Sequence, residues 1–395
     1  MRCSLILVLV AACGGGHSQF RRRADTASEP VQNDPSVRAA RARFRAASHH
    51  ASQPQGFEEL QLRIQDLSRD EVGGPDGVTL RARVPLPNPW ESRRTRQSRE
   101  HLVEAALADV ELTSIRARAE QCTQIIERTA SFEARRLQDA FEARMRQVLE
   151  WADRASEAGT LDVLQAAELT LEIRRRLAGL REPPPVDDDA PGEGTLMSLD
   201  VRSGSLRRSN ASLRAYFENG HPAMDVHLAE ARSYRSLAQR ERARAAPWFD
   251  FVEVLFRTGQ AASAIETRLA INVPLAVRPR EAVGRYEALA DAEEHEAEAS
   301  VAALRRDAAA ALAQLATYEE RLEALSELSR HADQAAAIAD RAQEANVGDP
   351  AAVSDLYVEI FASRSLLLSA RREASLADCD LLMATGLTAR EWPRD

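Results

Sequence analysis

Along two long stretches of the chain, apolar residues recur at alternating steps of three and four. In the first, Leu112, Ile115, Ala119, Cys122, Ile126 and Thr129 fall on one seam. That period predicts helices of coiled-coil type, from about Glu91 to Glu157 and from about Arg280 to Asn346. At 1.5 Å per residue each measures roughly 100 Å. The stripe is narrow and rich in alanine, so each helix is expected to pack closely on other long helices in a tube or rod. Shorter stretches switch to a period of two. Val78, Leu80, Ala82 and Val84 alternate with Thr79, Arg81 and Arg83; Ile265, Thr267, Leu269, Ile271 and Val273 alternate with Glu266, Arg268, Ala270 and Asn272. These read as strands, roughly Val78–Leu86 and Ile265–Leu275, each preceded by a partner near Phe57–Leu67 and Trp248–Phe256. Glu71 to Gly77 is a turn-rich hairpin loop. Short helices, about Ser36–Ala47 and Ala223–Ala245, precede the strands. Return helices follow the long ones and end near Leu180 and about Thr385.

The order short helix, two strands, long helix, break and return helix therefore occurs twice. Val84-Pro85-Leu86 recurs 189 residues later as Val273-Pro274-Leu275, and Gly159 recurs as Gly348. Shifted by the same 189, the seam becomes Val301, Leu304, Ala308, Ala311, Leu315 and Tyr318. Because 189 is a multiple of seven, the heptad phase survives, and the chain is a duplication. Cys122 matches Ala311 in the other copy and reads as a small packing residue. The first break looks about three residues shorter than the second. The fold class is mainly α with a small β part, built from a duplicated helix–strand–strand–long-helix unit.

Composition refines this picture at the ends. Residues 1–12 are a signal peptide: Met1-Arg2, an apolar run from Leu5 to Val10, then Val10-Ala11-Ala12 before Cys13. Small residues before a cysteine resemble the bacterial lipobox, which implies acylation at Cys13; an ordinary signal peptide with an incidental cysteine is the alternative. Gly14 stands where inner-membrane lipoproteins usually carry Asp, so the outer membrane is the expected destination, with the chain extending into the periplasm. Beyond the signal, Cys13, Cys122 and Cys379 make no visible disulfide framework. The remaining boundaries are a flexible linker over 13–33, the first repeat over 34–180, an inter-repeat linker over 181–200, the second repeat over 201–386 and a tail over 387–395. The net charge of −9 argues against a nucleic-acid partner.

The strands leave two options. Apolar on one face and charged on the other, they suit an outer-membrane barrel with a wet lumen, in which Arg81, Arg83 and Arg268 face the lumen. A half-buried soluble sheet has the same alternation. Trp90, Trp248, Phe249 and Phe251 near strand ends resemble an aromatic girdle. Four strands cannot close a barrel alone, so a barrel requires other chains.

The corners Val84-Pro85-Leu86-Pro87 and Val273-Pro274-Leu275, the turns Ala158-Gly159-Thr160-Leu161-Asp162 and Val347-Gly348-Asp349-Pro350, and the opening Asn219-Gly220-His221-Pro222 together resemble the TolC-type outer-membrane efflux family, in its lipid-anchored form. The likeness runs from about Asp34 to Gly386. It implies a homotrimer whose long helices form an α-barrel and whose strands complete a twelve-strand β-barrel. The implied role is a passive export duct in a tripartite efflux or secretion system, with a periplasmic adaptor (membrane fusion) protein, an inner-membrane pump and outer-membrane lipid as partners. By position, Gly159, Thr160, Gly348 and Asp349 would form the periplasmic tip where the adaptor docks. Asp355 and Glu359, one turn apart, would be candidates for an acidic gate, though both also suit the first turns of a helix. Val358 stands where the family often has a second gate acid. The rival is a lipid-anchored periplasmic coiled-coil scaffold or adaptor without a membrane barrel.

No Cys/His spacing suggests zinc, no glycine-rich phosphate loop occurs and no nucleophile elbow is present. Neither enzyme activity, nor a metal, nor a cofactor is expected.

Overall fold

The computed structural model describes residues 29–53, 61–67, 77–86, 88–180, 213, 216–217, 220–258, 263–272 and 279–387. The expected signal segment with Cys13, the expected linker over 181–200, the corner Val273–Leu275 and the expected tail over 387–395, apart from residue 387, lie outside them. The elements run α1 (Glu29–Gln32), α2 (Pro35–Ser52), β1 (Gln61–Leu67), β2 (Gly77–Pro85), α3 (Pro89–Glu157), α4 (Val163–Ala178), α5 (Pro222–Arg244), β3 (Trp248–Thr258), β4 (Ser263–Asn272), α6 (Pro279–Glu344) and α7 (Pro350–Thr385). From α2 onward, helix, two strands, long helix and return helix therefore appear twice. No described helix is long and apolar enough to cross a membrane.

Local chemistry explains the helix ends. Five helices start on a proline, whose missing N–H costs nothing at N1. Asp34, Asp162 and Asp349 cap α2, α4 and α7 by accepting from Ser36, Leu164 and Ala351 backbone N–H groups. Asn88 does the same for α3 through the Trp90 amide, at 3.0 Å. Gly386, with φ +77°, closes α7, and its N–H donates to the Leu382 carbonyl. A Cβ there would stand 2.8 Å from Ile115 Cδ1, so glycine is required twice over.

Within residues read as the 13–33 linker, the structure differs: Glu29–Gln32 form a helical turn and Val31 is buried. One apolar side chain at the end of a polar stretch carries too little period to be seen.

Two compact units result, one from residues 1–114 and 220–302, the other from 115–219 and 303–395. They cut across the two copies, since each takes a part of both. The first unit holds an antiparallel sheet in the order β1-β2-β3-β4, which pairs strands of one copy with strands of the other through β2 and β3. The second holds a helical core of Phe141, Met145, Val148, Trp151, Leu169, Ile173, Tyr357 and Ile360 among others. The seam positions Ala119, Ile126, Thr129, Ala308, Ala311 and Leu315 are all buried.

Cys122 is not a free packing residue. It forms a disulfide with Cys379, Cα to Cα 5.9 Å, across 257 residues. The expectation of no disulfide failed because the chain brings α3 and the end of α7 together only in three dimensions. Its seam position is compatible with both roles, since the bond lies between packed helices.

Candidate functional site

The sheet has an unusual distribution of burial. In register, Leu80 faces Phe256, Ala82 faces Val254, and Val84 faces Val252; Val252 and Phe256 in turn face Leu269 and Ile265. Side chains alternate along a strand, so these residues share one apolar face. That face is open: Ile265 is 73% exposed, Ile271 58% and Leu269 56%. On the opposite face Leu255 and the charged Glu253 are buried, at 1% and 7%. Arg81 reaches Glu253 at 3.2 Å, Arg83 reaches Asp250 at 3.3 Å and lies over the Phe251 ring, and Arg268 pairs with Glu266 at 3.1 Å. The three arginines named from sequence thus lie on strands as pairs with acids. A bulge between Phe249 and Phe251 shifts the register next to Trp248. Trp248 packs edge-on against Trp90, ring centroids 4.9 Å apart, and against Phe249 at 5.6 Å. The aromatic cluster therefore sits where the strands meet α3. Leaving a large aliphatic side chain in water forgoes about 1.5–3 kcal/mol, so an open row of them is costly unless something apolar covers it.

In the second unit the two turns are built alike. After α3, Gly159 takes φ +72° and the N–H groups of Thr160 and Leu161 donate to the Ala155 carbonyl, joined by Thr160 Oγ1 at 2.9 Å. After α6, Asn346 takes φ +50° and the Val347 N–H donates to the Ala342 carbonyl. The geometric counterpart of Gly159 is thus Asn346, 187 residues on. Gly348, with φ +108°, belongs to the following bend. Both turns contain five residues, 158–162 and 345–349. The expected three-residue difference is instead in the helices, 69 residues in α3 against 66 in α6. Glycine is not required at this turn position, because asparagine also tolerates the left-handed conformation.

Asp355 is exposed, yet it is not a bare carboxylate. Arg176, from α4 of the other copy, donates to it at 2.8 Å, to Ser354 at 3.4 Å, and also to Glu172. Partial burial opposes the charge of Arg176, but the Asp355 hydrogen bond and Glu172 outweigh it and raise its pKa. Glu359 is exposed one turn further along α7. Below them Tyr357 is buried and donates to Asp340 at 2.6 Å, which also pairs with Arg144 at 2.9 Å. Burial, then the bond to Asp340, pushes the phenol's pKa up. Arg176, Arg144 and Tyr357 escaped sequence reasoning because each acts across elements. The charged spacing on its own helix gave no sign of the partner.

No family model and no curated protein matches the chain in sequence. Solved structures do match in shape. The outer membrane protein VceC of Vibrio cholerae superposes with a TM-score of 0.61 at 14% identity, over 93% of this chain and 96% of that one. The fold is that of the TolC-type outer-membrane channels. The outer membrane channel CmeC of Campylobacter jejuni gives 0.59 at 9% identity, over 93% and 86% of the two chains. The open-state MtrE outer membrane channel of Neisseria gonorrhoeae gives 0.54 at 13%, over 93% and 88%. At such identities the TolC-type likeness is one of backbone architecture. It agrees with the fold expected from the duplicated strands and seams.

Proposed function

We propose that this chain is one protomer of a trimeric outer-membrane channel, the passive export duct of a tripartite efflux or secretion system. One observation supports the reading: one face of the sheet is an exposed apolar row that includes Leu80, Val254, Ile265, Leu269 and Ile271, the other carries the charged residues, and β1 and β4 stand at its edges among the described residues. Lipid is the solvent that makes such a face favourable, and a closed ring of strands is the only way to satisfy the edges within it. Three copies supply twelve strands. In this assembly Arg81, Arg83 and Arg268 face a wet lumen, and Cys13 carries the lipid that holds the chain at the outer membrane.

The turns at Gly159 and Thr160 and at Gly348 and Asp349 are the periplasmic tip, where an adaptor docks. Val163 and Leu164, exposed just past the first turn, support a docking role there. Asp355 and Glu359 gather near the threefold axis as a gate that favours cations, and Arg176 tempers its charge. An inner-membrane pump supplies the energy. The duct performs no chemistry, in keeping with neighbours that are named channels.

The native mass of the acylated protein, extracted from outer membranes in mild detergent, tests this directly. A stable homotrimer that conducts ions in planar bilayers supports the channel. A monomer or dimer overturns it and leaves an anchored coiled-coil scaffold.

A further inference from the structure

Away from the sheet and the turns, α5 and α6 bring three metal-binding side chains to one place. His227 and Glu230 stand three residues apart on α5, so they share a face. Glu293 reaches them from α6, and its carboxylate lies 2.8 Å from His227 Nδ1. One ligand atom from each of the three lies within 4.8 Å of the other two, and all three residues are half-buried. Around a tetrahedral ion, ligands held at roughly 2.0–2.2 Å are about 3.3–3.6 Å apart, so small side-chain rotations can close the set.

The surroundings leave the cluster negative. Asp109 adds its negative charge beside Glu230. The arginines that follow on α5 turn elsewhere: Arg232 to Glu104 at 3.6 Å and Arg235 to Glu294 at 2.7 Å. Arg43 takes Asp109 at 3.3 Å. Two carboxylates and an imidazole are a donor set suited to a divalent cation.

We propose that His227, Glu230 and Glu293 bind one first-row divalent cation of the zinc type. One nitrogen and two carboxylate donors suit zinc, cobalt, iron(II) or manganese(II). The imidazole disfavours calcium, and the lack of thiolate disfavours copper(I). Three protein ligands leave a further position for water or an exogenous donor. The site does not depend on the channel reading. It departs from the absence of metal expected from sequence, because the third ligand comes from a helix 63 residues away from Glu230 in the chain.

The experiment is a Co2+ titration of the full acylated protein in mild detergent, followed by visible absorption and by displacement with Zn2+. One saturable ion per chain is expected, weakened at least tenfold in His227→Ala and in Glu293→Gln and unchanged when His49 and His50 are both replaced by Ala. Glu230→Gln, which keeps the side-chain shape, guards against a folding artefact and should weaken binding likewise while circular dichroism and melting stay as in the parent. An absence of saturable binding, or binding that survives these substitutions, overturns the site.

Discussion

The strand faces of the first unit and the helical core of the second bury their residues in opposite ways. In the helical unit Met145, Ile173 and Leu381 are buried, and acids and arginines lie outside in pairs such as Arg372 with Glu127 at 2.6 Å. In the sheet, Glu253 is buried while Ile265, Ile271 and Leu269 are open. The hydrophobic effect has one sign, so under the proposed channel the difference reflects the solvent each surface meets. The paired charges on the helices suit water; the apolar strand face suits lipid. A second contrast follows from the covalent bond: the helical unit is tied by Cys122–Cys379, whereas the sheet depends on strand pairing with open edges.

The sharpest way to break this comparison is to place a charge on the open face. Leu269→Asp and Leu80→Asp should abolish recovery of the protein in the outer-membrane fraction, while a charge at the exposed Leu171 of α4 should leave recovery unchanged. Equal recovery of all three variants would show that the strand face is not read by lipid. Removing the disulfide acts on the other unit. A cross-link over 257 residues constrains the unfolded chain strongly, and Cys122→Ala with Cys379→Ala should cost about 3–5 kcal/mol in denaturant unfolding. A change below about 1 kcal/mol would mean the helical packing alone holds this region.

An intermediate effect belongs to His221, fully buried at the N-cap of α5, where its Nδ1 accepts from the Ala223 amide at 3.2 Å. Burial lowers its pKa from 6.5 to about 4. The unfolded chain therefore binds a proton that the folded chain refuses between those values. Its stability contribution is complete above about pH 6.5 and is lost as pH falls toward 4, by about 3 kcal/mol. His221→Gln should flatten that part of the pH–stability curve, as measured by melting from pH 4 to 7; an unchanged slope would count against the buried neutral imidazole. The smallest effect is expected at Arg176→Gln. Its bond to the exposed Asp355 is worth about 0.2–1 kcal/mol, so melting should barely move. If Asp355 lines a gate, cation selectivity in bilayers should nonetheless rise, because the carboxylate loses its counter-charge.

Much of this was legible in the residues themselves. Steps of three and four set the long helices to within about two residues of Pro89–Glu157 and Pro279–Glu344. The alternation at 78–84 and 265–273 gave the strands and their faces, since a period of two is written in neighbouring side chains. That Asn346 and not Gly348 is the counterpart of Gly159 was not legible, because residue identity does not report backbone conformation. Nor was the partner of Asp355, since Arg176 stands 179 positions away in the chain.

From α2 onward the elements, their order, their duplication and the faces of the strands were readable in the residues, all consequences of interactions between residues a few positions apart. Only the tertiary structure decided that Cys122 meets Cys379, that Arg176 covers Asp355, that Glu293 joins His227 and Glu230, and that the apolar strand face stays open. Each of those depends on which distant helices and strands become neighbours. Periodicity fixes which face a residue occupies, and packing alone fixes what that face meets.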